Sequence, residues 1–540
     1  MSATSNNKSG LPTSDLVAGL AIAGLLLPEA VAYASIANVP PQMAVIALFA
    51  GLICYALIGT SRFAIVSATS SSAAVLAAAS TSLSGGDPGA RLGVCAALVI
   101  AAGAYFVAAS VARLGAITDF IAKPVLRGFT FGLALVIVIK QLPTLLGIHA
   151  SSPNIFWLLF DIVRQAPQWN VPTLSLGFGS LALLLLCARI KSLPGALIAI
   201  IATTALCQWL ALPAQGVAQV GQIRIALSMP HLPQLSESQW LQSGELALAL
   251  ALIVYAESYG SIRGFAMKHG DPVAPNRDLA ALGVANLASG LLQGMPVGAG
   301  YSASAANEAA GADSRFAGLF GAGVLLLVVL LLLPLIAYTP EAVLAAIVIH
   351  AVSHTLNPEP LLACFRLHRD RVVVVAAVLA VLFLGVVNGL LLAIGVSIVM
   401  TLHRFSESRL SELGRLDHGH DFVSTSLHPT ARPEPGFLIV RPEEPLFFAN
   451  VERILHEIGA LISAKPDAQT IILSLEESPD LDSSSVESLH DFSLLQQKAG
   501  KRVIFARVKE AAQAVLARAD LPVSPDWGLS VDDAVRKARR

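Results

Sequence analysis

The sequence predicts a polytopic α-helical membrane protein with a small α/β domain at its carboxyl end. Three observations carry that expectation. The chain from Leu16 to Arg404 is almost one apolar ribbon, cut by Gly, Pro and short basic turns. Only 13% of the 540 residues are charged and 55% are hydrophobic, whereas ordinary globular chains carry about 25% charged residues. After Gly436 the pattern changes to short β runs alternating with amphipathic helices.

A spanning helix needs about 20 mostly apolar residues, so the ribbon holds on the order of a dozen or more spans, several of them short or broken. Met1 to Thr13 is polar and leads at once into an apolar span, so a retained first helix is expected rather than a cleaved leader. The formal net charge of −1 gives no sign of a nucleic-acid partner. Cys54, Cys95, Cys187, Cys207 and Cys364 lie in or beside apolar spans without a CxxC pair, which fits small packing residues rather than disulfides or a metal site.

Orientation follows from Lys and Arg. With an inside amino terminus and fourteen spans, sixteen of the twenty basic residues up to Arg409 fall inside. Only Arg91, Lys140, Arg164 and Arg224 fall outside. That bias satisfies the positive-inside rule and places both termini in the cytoplasm, as for an inner (plasma) membrane protein.

Four segments are expected: an amino-terminal tail over 1–12, a transmembrane domain over 13–405, a polar linker over 406–435, and the α/β domain over 436–540. The linker contains Asp417-His418-Gly419-His420-Asp421, read as exposed polar residues in preference to a metal site. Beyond it, 437–440, 446–448, 470–475 and 502–506 read as strands, and 451–463, 484–497 and 510–519 as helices. His350 and His354 read as an interfacial polar pair, and no nucleophile–base set argues for an enzyme.

Nearly all carboxylates of the apolar region sit at loops. Glu29, in Leu27-Pro28-Glu29-Ala30, and Glu257, in Tyr255-Ala256-Glu257-Ser258, do not. A carboxylate within a span costs roughly 2.5–3.5 kcal/mol on insertion scales, so it faces a partner, a cavity or a transport path. The two are 228 positions apart. The same offset carries the serine run Ser67–Ser72 onto Met295–Gly300, a second small-residue, helix-breaking segment. Paired interruptions of this kind point to a midplane site between two repeats.

A helix starting inside the membrane presents unpaired amides and a positive dipole end. Two such starts, near Ser67–Ser71 and Tyr301–Ser304, would bind an anion through backbone N–H groups, with Ser67, Thr69, Ser70, Ser302 and Ser304 suited to add hydroxyl donors. Glu29 and Glu257 would repel that anion unless protonated or holding a cation, as a proton- or sodium-coupled symporter requires.

Asp15-Leu16-Val17-Ala18-Gly19, Leu27-Pro28-Glu29-Ala30-Val31-Ala32-Tyr33-Ala34 and Val39-Pro40-Pro41 closely resemble the first-helix signature of the sulfate permease family. Gly59-Thr60-Ser61-Arg62, Lys123-Pro124-Val125-Leu126-Arg127-Gly128-Phe129, Leu282-Gly283-Val284-Ala285-Asn286 and the run Ala342–Ile349 match further segments. The terminal domain resembles that family's STAS domain at Pro445–Asn450 and at Leu481-Asp482-Ser483-Ser484.

The resemblance implies fourteen spans as two inverted repeats of seven, core and gate bundles, a homodimer in the lipid bilayer and elevator-like motion. It implies a small anion such as sulfate, bicarbonate, chloride or a dicarboxylate, held by helices 1, 3, 8 and 10. On this chain those helices bring Glu29, Tyr33, Ser67, Thr69, Ser70, Gly300, Tyr301, Ser302 and Ala303 to the substrate. By similarity to sodium-dependent bicarbonate members, Glu257, Ser261 and Ala299 would bind a coupling cation; no other cofactor is implied. In related STAS modules the position of Ser483, beside Asp482, is phosphorylated; in a transporter-linked module simple helix capping is the favoured reading, with a cytoplasmic regulator of the STAS domain as the alternative.

Two departures matter. Many members carry Gln where this chain has Glu29, and Ser-Arg where it has Ser302-Ala303. Both make the site more acidic and favour cation-coupled uptake over uncoupled exchange. A nucleobase–proton symporter of the same fold and a non-transporting membrane sensor remain the rival readings.

Overall fold

In the computed structural model the described residues are 13–84, 87–115, 123–148, 150, 152, 154–189, 195–221, 230–368, 370–407, 409–417, 419–519 and 530–540. The expected tail over 1–12, and Lys8, Lys191, Arg224, Arg369 and His418, lie outside them. The chain divides into two compact units, 1–397 and 398–540.

The first unit is mainly helical and is built twice, its last helix running on past residue 397. One half runs α1 (Thr13–Ala37), α2 (Pro41–Ile58), β1 (Val66–Ser67), α3 (Ser70–Ser84), α4 (Pro88–Val111), α5 (Lys123–Leu146), α6 (Ile155–Arg164), α7 (Val171–Cys187) and α8 (Gly195–Trp209). The other runs α9 (Glu237–His269), α10 (Pro275–Leu291), β2 (Gly298–Ala299), α11 (Tyr301–Ala309), α12 (Ala317–Ile336), α13 (Glu341–Ser353), α14 (Glu359–Arg366), α15 (Arg371–Leu384) and α16 (Val386–Ser406).

Among the described residues six helices are long and apolar enough to cross a membrane, and five shorter ones are apolar. The short pieces α6 and α14 are amphipathic: α6 buries Ile155, Leu158 and Ile162, and α14 buries Cys364. They hold equivalent places after α5 and α13, and setting them aside leaves fourteen spans among the described residues.

The packing repeats as the sequence does. Helix α1 packs on α12 and α11 as α9 packs on α4 and α3, and α2 meets α12 as α10 meets α4. These eight elements form the core bundle. Helices α5, α7, α13 and α15 pack on one another, with α8 against α7 and α13, as the gate bundle. Small residues set the closest core contact: a Cβ on Gly103 would lie 2.7 Å from Leu287 N, and one on Gly290 2.9 Å from Ile100 N.

Local signals explain several ends. Helix α9 opens with a reciprocal box between Ser236 and Gln239 and closes at Gly270, whose φ of 71° suits a residue without Cβ. Helices α2 and α10 begin with Pro41 and Pro275, where a missing N–H is harmless. Pro28 lies inside α1 and leaves the Gly24 carbonyl without its usual helical donor, immediately before Glu29.

The second unit is a five-stranded sheet in the order β4-β3-β5-β6-β7. Its strands are β3 (Leu410–Arg415), β4 (Phe422–Ser424), β5 (Phe437–Pro442), β6 (Thr470–Ser474) and β7 (Arg502–Ala506). Strands β5, β6 and β7 run parallel, and β3 is antiparallel to both neighbours. Helices α17 (Val451–Ala464), α18 (Ser483–Lys498) and α19 (Glu510–Leu516) cover one face, and α20 (Val531–Arg539) the other.

The sequence reading needs three corrections here. Part of the expected linker is structure: β3 and β4 extend the sheet, with Leu413 buried in its second core. The expected strand at 446–448 is irregular and leads into a turn. Its amides are taken by side chains, Leu446 N–H by Ser478 Oγ, Phe447 N–H by Asn450 Oδ1 and Phe448 N–H by Asp482 Oδ2, so none is left for a ladder. Helix α19 ends at Leu516, three residues before its expected end.

Candidate functional site

Within the core bundle two spans begin as strands and turn helical partway. Strands β1 and β2 pair antiparallel, Val66 with Ala299 and Ser67 with Gly298, so equivalent segments of the two repeats cross in opposite directions. From Ser70 to Tyr301 is 231 positions, three more than separate the two buried carboxylates, so the repeat holds with a small slip.

Each helix start is finished differently. At α3, Thr69 N–H donates to Ser72 Oγ at 3.0 Å and Ser72 N–H to Thr69 Oγ1 at 3.2 Å, a reciprocal cap. At α11, Gly300 is the cap residue, Ser304 Oγ donates to Gly300 O at 2.7 Å, and it accepts Ile65 N–H at 3.1 Å. The two starts touch: a Cβ on Gly300 would lie 3.3 Å from Thr69 Cγ2.

Helix α9 is the spine behind both. Glu257 Oε2 accepts Thr69 Oγ1–H at 3.0 Å and also Ser71 Oγ–H, and these two hydroxyl oxygens are 3.1 Å apart. The next residue, Ser258, accepts Ala299 N–H at 2.8 Å while donating to Val254 O at 2.5 Å. Consecutive residues of one helix thus fasten α3 and β2. Glycine is required at 298, because a Cβ there would lie 2.8 Å from Ser258 Oγ.

The other carboxylate is placed differently. Glu29 is 7% exposed and, among the described residues, has no hydrogen-bond partner. Tyr33, one turn on, is buried and within Coulombic reach of both Glu29 and Glu257, so α1 and α9 bring the three groups together.

The residues expected to bind substrate divide into two sets. Ser67 Oγ donates to Ala68 O, and Thr69 donates to Glu257, so neither hydroxyl is free to donate to an anion in this arrangement. Ser70 and Ser302 are half-buried in the first turns of α3 and α11, with hydroxyls uncommitted among the described residues. Tyr301 is 58% exposed and stacks on Phe265 at 5.1 Å, while Ala303 is buried. Ser261 is buried with an unpartnered Oγ. The hydroxyls on Glu257 come from α3, not from Ser261 one turn along α9. The sequence reading singled out neither Ser71 nor Ser258; Ser258 directly follows Glu257, and Ser71 was one hydroxyl in a run.

Helices α1, α3 and α11 carry no Lys or Arg. Two helix N-termini therefore supply the positive potential, and two buried carboxyls oppose it.

In the second unit, Asp482 caps α18, accepting Ser485 N–H at 2.7 Å and Phe448 N–H at 2.8 Å. Burial pushes its carboxyl up, but these amide bonds outweigh that and hold it below the ordinary carboxylate range. Ser483 is exposed at the first position of that helix. His420 pairs with Asp532 at 2.9 Å and lies 2.7 Å from Arg536.

Residues 13–378 match the sulfate permease family and residues 428–534 the STAS domain. A protein of Mycobacterium tuberculosis named a probable sulfate transporter is 30% identical over 510 residues, covering 94% of this chain and 91% of its own. High affinity sulfate transporter 1 of Stylosanthes hamata is 28% identical over 522 residues, covering 91% of this chain and 78% of its own. Murine Solute Carrier 26 family member A9, an anion transporter solved in an inward-facing state, superposes with a TM-score of 0.90 at 23% identity, over 98% of this chain and 92% of that one. The transmembrane domain of the cyanobacterial bicarbonate transporter BicA gives 0.63 at 21% identity, over 72% and 96%. With the crossing half-helices, the repeat and the terminal sheet all in place, the chain belongs to the sulfate permease family, a family of membrane transporters rather than enzymes, and carries a STAS domain.

Proposed function

We propose that this protein is a secondary active transporter that takes up a small anion, sulfate or bicarbonate, together with sodium or a proton. The observation that carries the reading is the charge inventory of the crossing: two helix starts suited to an anion, no Lys or Arg on α1, α3 or α11, and two buried carboxyls. An anion entering there meets net repulsion until a cation neutralises a carboxyl, and that requirement is what couples the two fluxes.

Ser70, Ser302 and the backbone N–H groups from Tyr301 to Ala303 are the donors, and Tyr301 forms an exposed wall of the anion site. Glu257, with Ser261 and Ala299 nearby, takes the cation. The core bundle carries both across the gate by an elevator movement. The protein sits as a homodimer in the inner (plasma) membrane with both termini in the cytoplasm, where the STAS domain meets its regulator. The sulfate transporters among its relatives support the anion class.

Radiolabelled uptake into proteoliposomes, under separately imposed sodium and proton gradients, tests this with sulfate, bicarbonate and a dicarboxylate. Gradient-driven accumulation that disappears in Glu257→Gln is expected. Flux that ignores both gradients and survives the substitution would make the protein an exchanger or uniporter.

A further inference from the structure

We infer that the hydroxyls of Thr69 and Ser71 are a donor switch: they point at Glu257 while its carboxylate is bare, and turn to the anion once the coupling cation neutralises it. The inference rests on the cation-coupled reading above and names the residues through which the cation would raise anion affinity.

Three observations support it. Both hydroxyls converge on one oxygen, Glu257 Oε2, and on each other. Both belong to the start of α3, Thr69 as its cap and Ser71 in its first turn, where the positive end of the helix dipole favours an anion. Thr69 also touches the start of α11 at Gly300, so a donor swung away from Glu257 lies between the two halves of the anion site.

Each hydroxyl has one proton, and an ionised carboxylate can only accept. With Glu257 bare, those protons are held by Oε2. A proton on Oε2 makes it a donor, and a sodium ion there repels the hydroxyl protons and draws their lone pairs. In either case a hydroxyl rotates about its own C–O bond and presents O–H to the anion. No covalent bond changes beyond the carboxyl's own protonation, and the outcome is the same for both cations.

The titratable groups on the surrounding elements are Arg91, Cys95 and Tyr105 on α4, Tyr301 and Glu308 on α11, Asp15, Glu29 and Tyr33 on α1, and Lys123, Arg127 and Lys140 on α5. Of these, Tyr33 is the one placed within Coulombic reach of Glu257. It is neutral across the physiological range by type and does not replace the switch.

The test is sulfate and bicarbonate affinity of the full-length protein in detergent, with and without the coupling cation, supplied in turn as sodium and as protons. A hydrogen bond to a charged group contributes enough to give roughly tenfold in affinity. Ser71→Ala, which leaves the Thr69–Ser72 cap in place, should lower the cation-induced gain in anion affinity about tenfold. Ser71→Thr should restore it, and Thr69→Val and Thr69→Ser should behave as a second such pair.

A wild-type cation-induced gain in Ser71→Ala and Thr69→Val together would overturn the switch while leaving symport intact. Wild-type protein whose affinity for both sulfate and bicarbonate ignores both cations, or that binds neither anion, would overturn the coupled reading itself and the switch with it.

Discussion

The two halves of the crossing come from equivalent spans, yet they are held in different ways. The start of α3 is held by side-chain hydroxyls that run to a carboxylate, through Thr69 and Ser71 on Glu257. The start of α11 is held through neutral contacts to backbone, Ser258 to Ala299 N–H and Ser304 to Ile65 N–H and Gly300 O. A change of charge on Glu257 therefore reaches one half directly and leaves the fastening of the other unchanged. The counterpart carboxyl on α1, Glu29, fastens neither. Internal duplication has supplied a symmetric frame, and a few side chains have made one half responsive and the other fixed.

The largest break in this comparison is at the shared contact. Gly298→Val would drive a side chain into Ser258 Oγ and Val254 Cγ1, at 2.8 and 2.9 Å from its Cβ. Overpacking of that kind destabilises by about 3 kcal/mol. Loss of monodisperse protein and of flux is expected, and size-exclusion chromatography in detergent with liposome uptake reads both.

The STAS domain offers the same chemistry, a carboxylate held by donors, where water reports on it. Asp532 is 3% exposed and receives Arg415 at 2.6 Å and His420 at 2.9 Å. Burial pushes its carboxyl up, but those hydrogen bonds and the charges of Arg415 and Arg536 outweigh it and hold it below the usual range. A depressed folded pKa means the stabilisation is complete above the unfolded value of about 4 and is lost as pH falls through the folded one. Protection of β5–β7 amides in the full chain should fall with acid in that window. Asp532→Asn should remove about 2 kcal/mol at neutral pH and flatten the acid dependence.

On the fixed half, Ser258→Ala leaves Ala299 N–H buried without its acceptor. The cost is about 1–2 kcal/mol, seen as a lower midpoint in thermal unfolding, and the response of anion affinity to the cation should persist. A cation response that vanished here would show that both halves sense Glu257. The smallest effect belongs to Glu29→Gln. With no donor to lose among the described residues, its thermal stability should change by less than about 1 kcal/mol. A large drop would reveal a bonding role for that carboxyl.

Much of this architecture was legible beforehand. Glu29 and Glu257 stood out because charge is scarce in the apolar ribbon, and their spacing led to the second interrupted span at Met295–Gly300. Strand β3 was not legible. Leu410–Arg415 carries Ser, Glu and Arg, and its place on the sheet depends on pairing with β5, which lies more than twenty positions on. Leu446-Phe447-Phe448 failed in the opposite sense: apolar residues suggested a strand, but Ser478, Asn450 and Asp482 captured their amides.

The sequence by itself determined that this chain spans a membrane, that it does so in two related halves, and that two carboxyls lie within its apolar spans. Composition and periodicity encode those facts because the bilayer penalises every exposed polar group. Only the tertiary structure decided which hydroxyls answer which carboxyl. Ser67, Thr69, Ser70 and Ser71 are nearly alike as sequence, yet Thr69 and Ser71 meet Glu257, Ser67 turns to its own backbone, and Ser70 remains uncommitted. The difference arises where α3 leaves β1, because the rotation of a helix start about its axis selects which side chains face α9. That rotation is set by packing between segments 188 positions apart, and no local pattern records it.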